Sequence, residues 1–260
     1  MLLQDKVVII TGVGPGMGRK LALIAAREGA QVVLAARTRE FLESVATEIN
    51  QAGGRCLSVV TDVADSQQCE RLAQAALERF GRIDGLVNSA YRHATYLPFE
   101  QASIESWQAS LDVTCFGALR MTKAVLPAMK EQKSGAIVNV TALAAVQPAP
   151  GQADYAVAKA ALEGATRQLA KEFGPYNIRV NSTRMGWLWG TPVQNFVASE
   201  AQTRGVPAQD IIEPIAARIA LGVIPPDEDC AKTTLVLVSD YTRMVTGTTL
   251  DVNGGEYFSA

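Results

Sequence analysis

The chain has 260 residues, of which 48% are hydrophobic and 19% are charged, so it can bury a large core and is not disordered. Its formal net charge of −2, without a basic block, excludes the usual pattern of a nucleic-acid binder. We also expect no membrane association, because no apolar run is long enough to cross a bilayer and the N-terminus lacks the pattern of a signal peptide.

Cysteine and histidine are few and scattered. The cysteines are Cys56, Cys69, Cys115 and Cys230, and the single histidine is His93. Because their spacing does not match a zinc site, we predict no bound metal. Cysteines without a disulfide framework indicate a reducing compartment, so we predict a cytoplasmic protein.

The N-terminal segment combines an apolar run, a glycine-rich turn and a helix. Residues 6–10 (KVVII) are typical of a strand buried on both faces. Residues 11–18 (TGVGPGMG) follow, and a helix is predicted to about residue 28. Glycines let backbone N–H groups and a helix N-terminus approach a pyrophosphate closely. Gly12, Gly16 and Gly18 depart from the usual dinucleotide spacing, so the alternative is a tight turn without a ligand.

Two arginines follow the second predicted strand, residues 31–36. An acidic residue there would accept hydrogen bonds from the ribose hydroxyls of an adenosine. Arg37 and Arg39 instead favour a ribose 2′-phosphate, which guanidinium groups bind through charge-assisted hydrogen bonds. The sequence therefore favours NADP(H), with NAD(H) possible. The alternative is that both arginines are solvated charges at the start of a helix.

Strands and helices alternate along the remaining chain. Strands are predicted at residues 55–60, 85–87, 136–140, 178–181 and 250–252, and helices at residues 40–50, 66–80, 103–132, 155–173 and 208–221. This alternation predicts one α/β domain, a doubly wound parallel sheet of about seven strands with helices on both faces. Ligands of such sheets lie beyond the carboxyl ends of the strands. Residues 187–226 break the alternation and predict a lid over the site.

Tyr155 and Lys159 lie four residues apart in a predicted helix, so their side chains share one face. A free tyrosine, with a pKa near ~10, is a poor proton donor or acceptor at neutral pH. A neighbouring cation favours the phenolate and predicts a lower pKa for Tyr155.

Nearer the N-terminus, Asp62 either accepts a hydrogen bond from an adenine amino group or caps the next helix.

In their order and spacing, several motifs resemble those of the short-chain dehydrogenase/reductase family over nearly the whole chain. The motifs are TGVGPGMG at residues 11–18, NSA at 88–90, Tyr155 with Lys159, IRVN at 178–181 and TGTTLDVNGG at 246–255. The resemblance implies a Rossmann-fold, nicotinamide-dependent oxidoreductase that interconverts an alcohol and a carbonyl compound, and a homotetramer. It implies that Tyr155 exchanges the proton, while Lys159 binds the nicotinamide ribose and lowers the tyrosine pKa.

The resemblance also implies where the cofactor binds. The glycines would cradle the phosphates, Asp62 and Asn88 would border the adenosine, and Thr191 would reach the carboxamide. The complete predicted set is Gly12, Gly14, Gly16, Met17, Gly18, Arg37, Asp62, Val63, Asn88, Ser89, Ala90, Lys159, Gly186 and Thr191.

Two residues depart from the family's catalytic pattern. Ala142 stands thirteen residues before Tyr155, where the family has a serine that hydrogen-bonds the substrate oxygen. The adjacent Thr141 is predicted to point to the opposite face of the strand. Thr114 replaces an asparagine that holds a proton-relay water, and its hydroxyl can still bond a water.

Tyr91 replaces a family glycine and brings His93 to the predicted rim, so we hypothesise that one of them supplies the missing donor. Losing one preorganised hydrogen-bond donor lowers the rate on the order of 10²–10³-fold, so activity would fall without vanishing.

The first of two interpretations of the sequence is therefore an active enzyme for an apolar or cyclic substrate. The alternative is a dinucleotide-binding pseudoenzyme, scaffold or non-redox catalyst on the same fold. The aromatic residues that suggest the apolar substrate are Trp187, Trp189, Phe196 and Tyr91.

Overall fold

The computed structural model describes residues 1–259. Its strands are β1 (Val7–Thr11), β2 (Gln31–Ala36), β3 (Arg55–Val60), β4 (Gly85–Asn88), β5 (Gly135–Ala142), β6 (Ile178–Met185) and β7 (Thr249–Val252). Its α-helices are α1 (Met17–Arg27), α2 (Arg39–Gln51), α3 (Ser66–Phe80), α4 (Ile104–Leu111), α5 (Gly117–Gln132), α6 (Ala153–Phe173), α7 (Thr191–Arg204), α8 (Ala208–Ala216) and α9 (Asp227–Val236).

The strands form one parallel sheet in the order β3-β2-β1-β4-β5-β6-β7. The chain runs outward from β1 to β3 and then returns to place β4 on the other side of β1. This reversal creates a crevice at the carboxyl ends of β1 and β4, where doubly wound sheets bind ligands. The predicted fold is therefore confirmed. No helix within residues 1–259 has the length and apolarity needed to cross a membrane.

Helices cover both faces of the sheet, which explains why residues 7–10 of the first strand are all apolar. Val8 and Ile10 belong to the core formed with α1, α2 and α9. Val7 and Ile9 point the other way, into the core formed with α3, α5 and α6. Successive side chains of a strand alternate between the two faces, so a strand covered on both sides is mostly apolar.

Strands β5 and β6 continue beyond their predicted ends at residues 140 and 181, to Ala142 and Met185. The prediction ended them too early because polar residues begin there. In the structure those polar side chains are buried, since Thr141 and Arg184 are direct cross-strand partners.

The predicted lid differs most from the structure. One helix was predicted at residues 208–221, whereas residues 187–226 contain both α7 and α8. Helix α7 lacks an apolar stripe and is flanked by glycine and proline, so its sequence did not indicate a helix. The helix predicted at residues 103–132 is interrupted by a π-helical segment, Asp112–Phe116, between α4 and α5. Such bulges often occur at functional sites.

Candidate active site

Tyr155 and Lys159 lie on the first turns of α6, beside the carboxyl end of β5. The Lys159 side chain is buried, and its Nζ donates a hydrogen bond to the Val140 carbonyl at 2.6 Å. Nζ lies 5.6 Å from the centroid of the Tyr155 ring. The structure therefore brings the predicted pair together at the ligand-binding edge of the sheet.

The pKa values of this pair are set mainly by burial. Desolvation lowers the pKa of Lys159 to about 7, although the charge of Glu163 opposes this shift. Desolvation also raises the pKa of Tyr155, and the neighbouring Tyr91 and Tyr96 add to the increase. The prediction that Lys159 lowers the tyrosine pKa is therefore wrong for this arrangement. The physical reason is that burial removes hydration from the phenolate and so disfavours the charged form of the phenol.

Tyr91 and His93 lie directly beside Tyr155. The Tyr91 and Tyr155 rings pack edge to face with centroids 5.9 Å apart. The Tyr91 hydroxyl is 3.4 Å from His93 Nε2, and Lys159 Nζ lies 5.4 Å from the centroid of the Tyr91 ring. Tyr91 remains 42% exposed, so this cluster of two phenols and one imidazole borders an open mouth.

Ala142 presents only a methyl group at the end of β5, next to its cross-strand partner Met185. Thr141 Oγ1 lies 2.9 Å from Glu163 Oε1 and 3.1 Å from the Thr183 carbonyl, on the α6 side of the sheet. The prediction that Thr141 points away from the position of Ala142 is confirmed. Strand β5 therefore provides no hydroxyl where a serine would stand.

Thr114 lies in the π-helical segment and is fully buried. Its Oγ1 accepts a hydrogen bond of 3.1 Å from the Arg92 backbone N–H. Its oxygen therefore holds the backbone of a loop, and the predicted contact of this hydroxyl with a water stays a prediction. Thr114 thus anchors the loop that carries Tyr91 and His93.

The glycine loop contains two positions that only glycine can occupy. Gly12 has φ +71°, and a Cβ there would come within 2.5 Å of the Ala90 backbone nitrogen. A Cβ on Gly18 would lie 2.1 Å from the Gly12 carbonyl oxygen. Gly14 and Gly16 have open space or ordinary contacts. Close packing within the loop therefore explains why residues 12 and 18 are glycines. Gly14 and Gly16 have no such contacts, and the loop surface beside them stays open.

Two helix N-termini border the glycine loop. Helix α1 begins at Met17 inside the loop, and α7 begins at Thr191, whose Oγ1 donates a hydrogen bond of 3.0 Å to the Pro15 carbonyl. Exposed N–H groups and the dipoles of two helices favour a pyrophosphate at this place. The Thr191 hydroxyl is bound to the glycine loop, and its predicted contact with the carboxamide stays a prediction.

The adenosine side of the crevice contains an unpaired cation. Arg37 is exposed after β2, and within residues 1–259 no carboxylate lies within ion-pair distance of it. Arg39, by contrast, has its Nη1 3.8 Å from Glu43 Oε1. The glycine surface, the two helix termini and Arg37 together fit a phosphorylated dinucleotide such as NADP(H).

Asp62 does not cap helix α3, so that alternative is wrong. Asp65 is the cap and accepts hydrogen bonds of 2.8 and 3.1 Å from the Gln67 and Gln68 backbone N–H groups. Asp62 Oδ1 accepts from the Ala64 N–H at 2.9 Å, which leaves its second oxygen for another partner. Val63 is buried.

The Asn88 side chain is buried and points into the protein, so any contact of this residue with the adenosine stays a prediction. Its Nδ2 donates to Asn139 Oδ1 at 2.9 Å, and Asn139 Nδ2 donates to Thr166 Oγ1 at 2.9 Å. Buried amide groups are usually hydrogen-bonded, and these two bonds connect β4, β5 and α6. Ser89 donates its backbone N–H to Thr11 Oγ1 at 3.2 Å.

Gly186 follows β6 at the inner end of the crevice. A Cβ there would come within 2.7 Å of Glu256 Oε2, so the C-terminal segment packs against this glycine. The lid begins immediately afterwards, with the Trp187 and Phe196 rings 5.7 Å apart. The partly buried tryptophans Trp187 and Trp189 pack on an apolar cluster of Ile215, Ile219 and Ile224.

Sequence reasoning missed two buried charges near this site, Glu163 and Arg184. Glu163 lies four residues after Lys159, so the helical spacing that joined Tyr155 to Lys159 also points to it. An arginine among the apolar residues of a central strand was the signal for Arg184.

Comparisons with known proteins agree on one family. The family model described as Enoyl-(Acyl carrier protein) reductase matches residues 12–256. The chain is 34% identical to 3-oxoacyl-[acyl-carrier-protein] reductase of Thermotoga maritima, over 98% of this chain and 99% of the relative. It is 31% identical to levodione reductase of Leifsonia aquatica, over 97% and 94% of the two chains.

Solved structures give the same result. Levodione reductase superposes with a TM-score of 0.90, at 30% identity and with 98% of both chains covered. L-sorbose reductase from Gluconobacter frateurii, complexed with NADPH and L-sorbose, gives a TM-score of 0.94 at 28% identity over 100% of both chains. The relatives are oxidoreductases, which supports the same class for this protein. The chain therefore belongs to the short-chain dehydrogenase/reductase family.

Proposed function

We propose that this protein is an NADP(H)-dependent oxidoreductase that interconverts a ketone or aldehyde and an alcohol, with Tyr155 as the proton donor or acceptor. The observation that carries this proposal is Tyr155 beside the buried Lys159, whose Nζ is held on the Val140 carbonyl at 2.6 Å. The pair lies on the edge of the sheet that also carries the glycine loop. A protein that only binds the cofactor does not need a tyrosine and a lysine placed for proton transfer.

The cofactor supplies the hydride when it is bound. The glycine loop and the N-termini of α1 and α7 would hold its phosphates, and Arg37 would bind the 2′-phosphate. Lys159 would bind the nicotinamide ribose. One similar protein supports NADP(H), since the L-sorbose reductase structure contains NADPH.

Tyr155 is better suited to donate a proton than to remove one. Burial raises the pKa of its phenol, so the hydroxyl stays protonated at neutral pH. A protonated donor beside a carbonyl oxygen stabilises the negative charge that develops during reduction. The arrangement therefore favours the reductive direction.

Tyr91 and His93 replace the donor that Ala142 lacks. The Tyr91 hydroxyl and His93 Nε2 are 3.4 Å apart, and the Tyr91 ring contacts the ring of Tyr155. Both residues reach the mouth from the loop that Thr114 anchors through the Arg92 N–H. A substrate oxygen bound at Tyr155 thus has a second donor from this side, in place of a serine on β5.

The substrate is an apolar or cyclic carbonyl compound. Residues 187–226 form a lid whose aromatic side chains, Trp187 and Phe196, pack together next to Gly186. Apolar walls with few polar groups are typical of sites for such molecules.

A homo-oligomer is part of the proposal. Phe116 at the end of the π-helical segment and Val157 on α6 are exposed apolar residues, and the small residues Ala160 and Ala161 lie beside Val157 on the exposed face of α6. Small and apolar residues on adjacent helices permit close packing between copies, as in the predicted tetramer.

Location in the cytoplasm stays a prediction that rests on the cysteines, and all four of them are free thiols.

The second candidate is a dinucleotide-binding pseudoenzyme, scaffold or non-redox catalyst, and the methyl group of Ala142 favours it. Incubation with NADPH or NADH and a panel of cyclic ketones, aldehydes and quinones separates the two. Loss of reduced-nicotinamide absorbance that requires both protein and carbonyl compound supports the enzyme. Tight NADPH binding, with no turnover in either direction across the panel, supports the scaffold.

A further inference from the structure

A buried row of charged side chains crosses the sheet directly behind the candidate site. Arg184 on β6 is the cross-strand partner of both Thr141 on β5 and Asp251 on β7, so these three side chains lie side by side on one face. Glu163 reaches this row from α6 and is buried with Arg184. Charged residues are almost never fully buried unless they are paired.

Every member of the row is held by hydrogen bonds. Arg184 binds both carboxylate oxygens of Glu163, through Nε at 2.9 Å and Nη2 at 2.8 Å. Its Nη1 donates to Asp251 Oδ1 at 2.9 Å and to Ser259 Oγ at 3.0 Å. A bidentate guanidinium–carboxylate pair fixes both groups in orientation as well as in charge. The negative charge of Glu163 therefore stays in one place.

Lys159 is the next charge in this series. It precedes Glu163 by one helical turn and shares its face of α6. The formal charges alternate in sign and add up to zero along the series Lys159, Glu163, Arg184 and Asp251. The remaining titratable groups around Lys159 are Tyr155 and Asp154 on its own helix and Tyr91, which contacts His93, on the facing loop.

We propose that Glu163 is a positioning residue, whose fixed negative charge keeps the buried ammonium group of Lys159 protonated, and that Arg184 holds Glu163 in place for this purpose. The proposal rests on the proposed function for its consequence in catalysis, since a neutral Lys159 would bind a ribose hydroxyl and support Tyr155 less well. The charge relation itself exists whether or not the protein turns over a substrate.

The test is the pKa of Lys159, measured from the Cε chemical shift in protein labelled with ¹³C-lysine and assigned with Lys159→Met. Glu163→Gln keeps the shape and a partner for Thr141 but removes the charge. We expect it to lower the pKa of Lys159 by about one unit, the size of a single charge interaction at this range. The alkaline limb of the pH profile of kcat then moves down by the same amount, with little change in KM at low pH.

Asp251→Asn is the matched control, because it makes the same carboxylate-to-amide change in the same row. Asp251 lies two strands from the carbonyl that binds Lys159, about 10 Å away, so we expect a shift well below that of Glu163→Gln. Arg184→Met removes the same ion pair as Glu163→Gln but deletes a positive charge, so it should move the pKa of Lys159 upward. Should Arg184→Met not fold, the first two variants decide.

An unchanged pKa of Lys159 in Glu163→Gln, or equal shifts in Glu163→Gln and Asp251→Asn, would overturn the proposal. Absence of turnover in the wild-type protein would instead count against the proposed function, because the titration needs no substrate. A merely structural role predicts lower stability in all three variants without opposite movements of the Lys159 pKa.

Discussion

Four side chains decide what chemistry this protein can perform: Tyr155, Lys159, Tyr91 and His93. Burial raises the pKa of Tyr155 and lowers that of Lys159 to about 7, so the phenol is a donor and the lysine titrates within the working range. Tyr91 lies against the Tyr155 ring and 3.4 Å from His93, and we propose that these two residues donate to the same oxygen as Tyr155. The residue scale therefore yields two predictions.

The first prediction concerns the missing serine. If Tyr91 and His93 replace it, the double variant Tyr91→Phe with His93→Gln should reduce kcat about 10²-fold, the cost of one preorganised donor. Introducing Ala142→Ser into that variant should restore most of the loss. Steady-state kinetics with a competent ketone measure both effects. Turnover of the double variant equal to that of the wild type would show that neither residue donates.

The second prediction concerns the stability cost of Lys159. The folded protein releases this proton near pH 7 and the unfolded chain near pH 10.5. The unfolded state therefore binds more protons than the folded state between these pH values, and the free energy of unfolding rises with pH there. Burying the charged lysine destabilises the fold most below pH 7 and no longer does so above pH 10.5. Lys159→Met should raise the free energy of unfolding more on the acid side than on the alkaline side, by about 5 kcal/mol for the pKa difference given above.

Urea unfolding at several pH values measures this difference. Lys123→Met, an exposed change on α5, is the control and should have no pH-dependent effect. A gain from Lys159→Met that is equal at all pH values would contradict the assigned titration.

At the scale of elements, our proposal assigns the binding of the cofactor to the loops after β1 and β2. The glycine loop supplies a close backbone surface between the N-termini of α1 and α7, and the end of β2 supplies the guanidinium of Arg37. One prediction belongs to each loop.

Arg37→Ala should raise the KM for NADPH about 10-fold to 100-fold while leaving that for NADH nearly unchanged, since one charge-assisted bond contributes about 1.5–3 kcal/mol. Arg39→Ala is the matched control, because Arg39 lies 3.8 Å from Glu43 and is already paired. Equal losses for NADPH and NADH in Arg37→Ala would mean that Arg37 does not recognise the 2′-phosphate.

Gly12→Ala should destabilise the fold by about 2–4 kcal/mol, because it forces a side chain into a left-handed conformation and against the Ala90 backbone at 2.5 Å. Gly14→Ala in the same loop meets no atom closer than 3.9 Å and should change stability by less than about 1 kcal/mol. Thermal unfolding of both variants checks this pair. Similar melting temperatures would show that the loop relaxes around Gly12.

At the scale of the whole molecule, the doubly wound parallel sheet and its two layers of helices could be predicted from the sequence, because apolar strands and amphipathic helices alternate visibly. The pair Tyr155 and Lys159 was predictable for the same reason, since helical spacing is local. The rest depends on contacts between distant segments. Examples are the pKa of Tyr155, which burial controls, and the burial of Thr114 under Arg92.

Helix α7 and the inward-pointing Asn88 show a second limit. Helix α7 has no apolar stripe to reveal it, and the side chain of Asn88 turns inward to donate to Asn139, which in turn donates to Thr166. Arg184 likewise interrupts an apolar pattern, and only the folded sheet shows that Asp251 and Glu163 are its partners. Sequence patterns identify elements, whereas partners far apart in the chain determine where side chains point.

The most direct test of the whole account compares Tyr155→Phe with the wild type in NADPH-dependent reduction of a competent ketone. Removing the general acid should lower kcat about 10²–10⁴-fold, while the Kd for NADPH, measured by fluorescence, changes by less than about threefold. Turnover by Tyr155→Phe at the wild-type rate would contradict the assignment of Tyr155 as the proton donor.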